Sequence, residues 1–142
     1  IPAGRMKAAK EHIIPLSAPA LAALRRAKEL AEDSPYVFPG TKKNKPMSNM
    51  ACLALLKRMG RPDLTVHGFR STFRDWAGES TSHPREVIEH AMAHRLSDKA
   101  EAAYARGTLL ERRRVLMNDW AAYCFHPAAS GTVVDIGTAR LA

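Results

Sequence analysis

A stripe of aromatic side chains between residues 67 and 78 constrains the fold more than any other feature of this chain. Phe69, Phe73 and Trp76 follow one another at intervals of four and three residues, which places them on one face of an α-helix. A helix with three large apolar side chains on one face must pack that face against other elements. The stripe therefore predicts a helix from about residue 67 to residue 78 within a helical core.

Helical patterns recur along the rest of the chain and predict a mainly α fold. Cap residues, prolines and apolar spacing place the other helices at about residues 19–32, 48–59, 84–93 and 109–125. Near the N-terminus, a basic turn and the short apolar run that ends at Pro15 predict a small β-hairpin over residues 5–16. We expect one domain over residues 1–126 and a weakly patterned C-terminal tail over residues 127–142.

Charge and composition narrow the choice of partner and compartment. The chain has 142 residues, 46% of them hydrophobic, and a net charge of +8, which favours nucleic acid as a partner and an anionic membrane surface second. The longest apolar stretch, Met50 to Leu56, is far too short to span a bilayer. Cys52 and Cys124 lie far apart in apolar helical patterns, which predicts buried free thiols in a reducing cytoplasm.

His67 and Arg70 open the aromatic helix and form the most informative polar pair. An H-x-x-R spacing places both side chains on one helix face, one turn apart. The first turn of a helix also presents backbone N–H groups and the positive end of the dipole. Since a guanidinium can bind two phosphate oxygens, the pair predicts a phosphate site. The alternative is a surface histidine beside an arginine that pairs with Asp75 or Glu79.

Lys7 and Tyr104 suit a reaction at such a phosphate. Lys7, at the expected tip of the hairpin, could protonate a leaving oxygen. Tyr104 lies among small residues that leave its hydroxyl accessible, and a phenol needs nearby cations or a base to become a nucleophile. Taken singly, the two residues are equally well explained as a solvated turn lysine and a core tyrosine.

His90 and His94 have a spacing that also occurs among metal ligands. The residues between them are Ala91, Met92 and Ala93, so the glutamate of an H-E-x-x-H zinc motif is missing, and only His83 is close in sequence as a third ligand. We therefore expect no metal and no cofactor. His94 is the better candidate for the phosphate site because it is nearer to the tyrosine in the sequence.

With these residues in place, the chain resembles the catalytic domain of tyrosine recombinases, and most of all the integrases of bacteriophages and genomic islands. The similarity covers about residues 1–125, and the order and spacing of its motifs make it specific. The motifs that carry it are Arg5-Met6-Lys7 with residues 12–17, Thr65 to Arg70 with residues 73–77, Met92-Ala93-His94, and Ala103-Tyr104-Ala105-Arg106.

The resemblance implies a role for each site residue. Tyr104 would attack the scissile phosphate and form a 3′-phosphotyrosyl link. Arg70 would stabilise the developing charge, His67 and His94 would donate to the phosphate or orient it, and Lys7 would protonate the leaving 5′-oxygen. The set of DNA-binding residues that we expect is Lys42, Lys43, Lys45 and Arg74.

The resemblance also implies an assembly and a missing part. Such integrases act on double-stranded DNA as homotetramers, with accessory DNA-bending proteins as further partners. They use another arginine before the lysine hairpin, and no residue here matches it. We therefore expect a catalytic domain truncated at its start, which folds but is inactive alone, since an arginine at the transition state contributes about 10³ to 10⁵ in rate in phosphoryl transfer.

Three other functions compete with recombination. A non-catalytic DNA-binding module would explain the charge without the five candidate residues. A helical protein-interaction domain with a basic surface would bind DNA weakly and without sequence preference. A type IB topoisomerase would use the same chemistry to relax DNA, and the candidate residues alone barely distinguish it from an integrase.

Overall fold

The computed structural model describes residues 1–94 and 109–125, and the mainly α prediction is confirmed there. A single 3-10 turn, Ala3–Arg5, precedes the α-helices. The α-helices of this part of the chain are α1 (Ala18–Leu30), α2 (Ala51–Arg58), α3 (Val66–Glu79), α4 (Arg85–Ala91) and α5 (Leu110–Phe125). None of these helices is both long and apolar enough to cross a membrane.

Short polar residues and prolines set the starts of the helices. The Ser17 hydroxyl accepts a hydrogen bond from the Ala20 N–H at 3.4 Å and begins α1. The Thr65 hydroxyl accepts from the Gly68 N–H at 3.0 Å and begins α3. Pro84, in an extended conformation, precedes α4. The two hydroxyl caps each use an N–H group that has no partner within its own helix, whereas Pro84 precedes α4 without a side-chain cap.

The core lies between α3, α4 and α5. Its fully buried centre consists of Ala77 from α3, Val87 from α4 and Leu116 from α5. Around that centre the aromatic rings of α3 and α5 pack against one another, with 5.4 Å between the ring centroids of Phe73 and Trp120. This three-helix core supports both the start of α3 and the end of α4.

The aromatic stripe that predicted this core is only partly buried. Phe73 is buried and Trp76 packs against the cluster, whereas Phe69 is 53% exposed. Phe69 lies in the first turn of α3, one turn before the part of the helix that contacts the core. The same position leaves the polar residues of that turn at the surface.

The predicted N-terminal β-hairpin is wrong, because no strand occurs in the described residues 1–16. Ile1 and His12 exchange two backbone hydrogen bonds, of 2.7 and 2.9 Å, and close residues 2–11 into a loop. The pairing goes no further. The Ile13 carbonyl accepts from the Arg113 side chain instead, and Pro15 has no N–H to donate.

Arg113 is the buried charged residue that joins the N-terminal segment to the core. Its side chain extends from α5, is 2% exposed, and donates to the Ile13 carbonyl at 2.8 Å. The pKa of Arg113 is lowered because burial disfavours its charged form. The segment before α1 therefore depends on α5, which lies 100 residues away in the sequence.

Both cysteines are free thiols, but the prediction that they are buried is wrong. Cys52 is half-buried in α2 and Cys124 is exposed in the last turn of α5. Each cysteine is flanked by apolar residues in its helix. That pattern did not show whether the cysteine lies on the packed face or on the solvent face of the helix.

Candidate active site

The start of α3 exposes two of the predicted site residues side by side. His67 and Arg70 both lie at the surface in the first turn, after the Thr65 cap. Gly68 lies so close to this cap that an added Cβ would be 3.3 Å from the Thr65 hydroxyl. A glycine therefore suits the second position of the H-x-x-R motif, because it lets the cap approach the backbone without crowding.

Arg70 reaches across from α3 to the end of α4. Its guanidinium donates to the Met92 carbonyl and to Nε2 of His94, the latter at 2.7 Å. Two of the predicted site residues, which are 24 positions apart in the sequence, thus meet. The alternative pairing of Arg70 with Asp75 or Glu79 does not occur among the described residues, where Asp75 pairs with Arg74 at 4.0 Å.

His94 owes its position to the way in which α4 ends. Ala93 adopts a left-handed conformation with φ 54°. The Ala93 N–H donates to the His90 carbonyl and the His94 N–H donates to the Glu89 carbonyl, at 3.1 and 2.9 Å. This pair of bonds is the Schellman motif, which usually has glycine at the left-handed position. The motif turns the chain at the end of α4 and directs His94 back toward α3.

Glu89 is a site residue that the sequence interpretation missed. One carboxylate oxygen of Glu89 is 2.6 Å from Nδ1 of His94, and the other is 3.5 Å from Nε of Arg74. Arg70, His94, Glu89 and Arg74 therefore form a continuous polar chain, which we call the Arg–His–Glu–Arg network. No signal in the sequence marked Glu89, because the Schellman motif that brings residues 89 and 94 together usually has glycine where this chain has Ala93.

Among the described residues, His67 and Lys7 are not joined to this network. His67 makes no side-chain hydrogen bond or ion pair within residues 1–94 and 109–125, although it shares an exposed helix turn with Arg70. Lys7 is exposed in the N-terminal turn, and none of its contacts in the described residues reaches the network. Tyr104 lies outside the described residues.

His90 does not act with His94 as a helical pair. His94 lies beyond the end of α4, bound to Glu89. The pKa of His90 is lowered by burial, then by the nearby positive charges of Arg113 and Lys10. In the part of the chain that the structure describes, no group of three or more His, Cys, Asp or Glu residues could hold a metal ion.

Comparison with known proteins identifies a family for the chain. Residues 1–109 match the phage integrase family. Prophage integrase IntA of Escherichia coli K12 is 40% identical over 136 residues, which cover 94% of this chain and 32% of that protein. Prophage integrase IntZ of the same strain is 36% identical over 129 residues, or 85% of this chain and 30% of the relative. The integrase of enterobacteria phage P4 is 34% identical over 123 residues, or 83% and 28%.

The chain belongs to the phage integrase family. The match covers most of its length and includes Lys7, the His67–Arg70 turn, His94 and Tyr104, so the resemblance to tyrosine recombinases is confirmed. The integrase-family chain spans about a third of the length of the curated relatives it matches. No solved structure matches it.

The loop at residues 40–46 gives this integrase-family chain a basic surface next to α2. Residues 40–46 form an exposed loop, closed by a bond of 2.8 Å from the Gly40 N–H to the Lys45 carbonyl. Gly40 is required there, since an added Cβ would be 2.5 Å from the Pro46 carbonyl oxygen. Lys42 and Lys45 line a cleft between the loop and α2, with Arg58 from the end of that helix.

Proposed function

We propose that this chain carries out site-specific DNA recombination, the integration or excision of a mobile element, by transesterification through a 3′-phosphotyrosyl intermediate. The observation that carries the proposal is the convergence of Arg70 and His94 at the exposed start of α3, within a chain of the phage integrase family. Residues 1–126 would form the C-terminal part of the catalytic domain, with residues 127–142 as a tail.

In the proposed reaction, the Tyr104 hydroxyl releases its proton to water and its oxygen attacks the scissile phosphorus. The bond from phosphorus to the 5′-oxygen breaks, and Lys7 gives its proton to that oxygen. Rejoining reverses the step, because a 5′-hydroxyl attacks the phosphotyrosyl ester and releases the tyrosine. The ester conserves the energy of the broken bond, so no nucleotide hydrolysis is needed.

Arg70, His67 and His94 would supply the positive charge and the hydrogen-bond donors around the phosphate. A guanidinium that already faces the opening between α3 and α4 needs little reorganisation to bind phosphate oxygens there. In the free chain Arg70 is held by Met92 and His94, so a phosphate would replace or share these contacts. Side chains in this role provide the stabilisation that metal ions provide in other phosphoryl-transfer enzymes.

Double-stranded DNA is the partner that we propose for the basic surfaces. The loop lysines Lys42, Lys43 and Lys45 are all exposed and would neutralise backbone phosphates. Arg74, at one end of the network, is half-exposed and would contact the duplex near the scissile position. A homotetramer on DNA, with accessory DNA-bending proteins, is the assembly that we propose for recombination in a bacterial cytoplasm.

The test is covalent capture of DNA by a chimera. This chain would replace the matching third of prophage integrase IntA, and the chimera would be mixed with a nicked duplex that carries the recombination site of that relative. We expect an SDS-stable protein–DNA adduct that is lost in the Tyr104→Phe variant, while DNA binding measured by gel shift is unchanged. This chain alone, tested in parallel, measures whether a further arginine is required.

An adduct that persists in Tyr104→Phe would refute the assignment of the nucleophile. DNA binding without any adduct, by a chimera whose circular dichroism shows it to be folded, would favour the non-catalytic binding module. Relaxed supercoiled DNA without recombinant product would favour a topoisomerase.

A further inference from the structure

Glu89 is a largely buried carboxylate with a partner on each of its two oxygens. Its side chain is only 13% exposed, and both carboxylate oxygens are engaged, one by His94 and one by Arg74. A carboxylate that is largely withdrawn from water interacts more strongly with its partners than a surface carboxylate does. Glu89 is therefore held firmly between two elements of the fold.

This contact determines which edge of the His94 ring faces Arg70. A carboxylate accepts hydrogen bonds and a guanidinium donates them. Glu89 at Nδ1 therefore favours a proton on that nitrogen, which leaves the lone pair of Nε2 to accept from Arg70. The two contacts agree on one tautomer of the neutral imidazole, and they direct Nε2 toward the guanidinium.

We propose that Glu89 is a positioning residue of the recombination site, which fixes the orientation of His94. In the free chain Nε2 accepts from Arg70. When a phosphate replaces that contact, Nε2 takes a proton from water, and the imidazolium, held by Glu89 at Nδ1, donates to the same phosphate as the Arg70 guanidinium. The role rests on the proposed function, but the contact itself can be tested without it. In this role Glu89 acts on the reaction through His94, while its other oxygen holds Arg74 at 3.5 Å. Partners of this kind commonly change activity about 10- to 100-fold where they orient histidine ligands of metals.

The first test measures the contact in the free chain. Histidine labelled with nitrogen-15 reports the protonation of each ring nitrogen, and the spectrum would be recorded near pH 8, above the ordinary imidazole pKa of about 6.5. We expect His94 to carry its proton on Nδ1, with a slowly exchanging Nδ1 proton signal. That signal should disappear in Glu89→Ala and remain in the matched control Glu86→Gln, which alters a carboxylate one turn earlier on α4 that pairs with Arg112 at 3.8 Å.

The second test measures the consequence in the IntA chimera. Single-turnover adduct formation at saturating DNA should slow by about 10- to 100-fold in Glu89→Ala, and a change in DNA affinity through Arg74 does not enter a rate measured at saturation. Glu89→Gln keeps an oxygen that can accept from Nδ1 and should recover part of the rate. A residue that served stability alone would lower the melting temperature without this recovery of the rate.

Three results would overturn the proposal: a proton on Nε2 rather than Nδ1 of His94 in the unaltered chain, an unchanged Nδ1 signal in Glu89→Ala, or an unchanged single-turnover rate. If Glu89→Ala does not fold, the isosteric Glu89→Gln provides the same comparison, because its altered Nδ1 signal and reduced rate are still expected. If the unaltered chimera forms no adduct, the recombination function fails, and the spectrum of the free chain still shows whether Glu89 holds His94.

Discussion

The part of the chain before residue 65 buries fewer side chains than the described part after it. Before residue 65, α1 has no buried residue and α2 has only Leu56, while Leu30, Met50 and Met59 are each more than 60% exposed. After residue 65, α3, α4 and α5 share a buried core whose central side chains are fully excluded from solvent. Because α3, α4 and α5 bury more of their side chains, we expect them to be held more rigidly than the N-terminal half.

The candidate site residues are divided between these two halves. The Arg–His–Glu–Arg network lies on α3 and at the end of α4, which the core holds together. Lys7 lies in the N-terminal segment, which Arg113 connects to the core. We infer that the phosphate-binding part of the site is preorganised, whereas the lysine is on a segment that can shift without disturbing the core.

The largest effect should follow from opening the core. Leu116 is fully buried at the centre of α5, and Leu116→Ala should lower the free energy of unfolding by about 2–5 kcal/mol, since it removes buried methyl groups and leaves a cavity. Leu55→Ala is the matched control on α2, where the side chain is 47% exposed, and should change it by about 0.5 kcal/mol. Urea denaturation followed by circular dichroism measures both, and equal losses would show that the two halves are packed alike.

A smaller effect should follow from detaching the N-terminal segment. Arg113→Leu removes the hydrogen bond to the Ile13 carbonyl, and we expect a loss of about 1–3 kcal/mol with faster tryptic cleavage after Lys7 and Lys10. Arg112→Leu, an exposed neighbour, should leave the cleavage rate unchanged. Equal cleavage rates in the two variants would mean that the segment is held by other contacts.

The smallest effect should be a loss of stability in mild acid. The pKa of His12 is lowered by burial and then by Arg113, and that of His90 by burial, Arg113 and Lys10, with Glu86 opposing. Because the unfolded chain binds these protons more readily, their contribution is complete above the ordinary pKa of 6.5 and decreases as the pH falls through that value. Melting temperatures at several pH values should show this decrease, and His12→Gln combined with His90→Gln should reduce it. An unchanged pH dependence in the double variant would contradict the assignment.

Local chemistry made most of the fold predictable. The aromatic spacing placed the start of α3 at about residue 67, one residue from its observed start, and α5 was predicted to within one residue. The hairpin failed because strands need partners along their length, and no property of residues 5–16 shows that the Ile13 carbonyl is taken by a side chain from α5.

The site was predictable in its residues but not in its connections. His67, Arg70 and His94 could be chosen from residue type and spacing, and the structure brings Arg70 and His94 together. Glu89 was missed because its role depends on the left-handed turn at Ala93, a conformation that alanine rarely adopts and that the sequence did not suggest. The chemical roles of these residues, including that of Tyr104, remain predictions for the capture experiments.

The Schellman motif at the end of α4 makes residues 89–94 a single indivisible unit for protein engineering. Its backbone bond from residue 94 to residue 89 and its side-chain bond between the same two residues depend on one fixed count of intervening positions. One inserted or deleted residue would rotate the helix end by about 100°, given 3.6 residues per turn, and would break both bonds at once. Grafts between relatives should therefore transfer the whole hexapeptide, or place their junctions outside it.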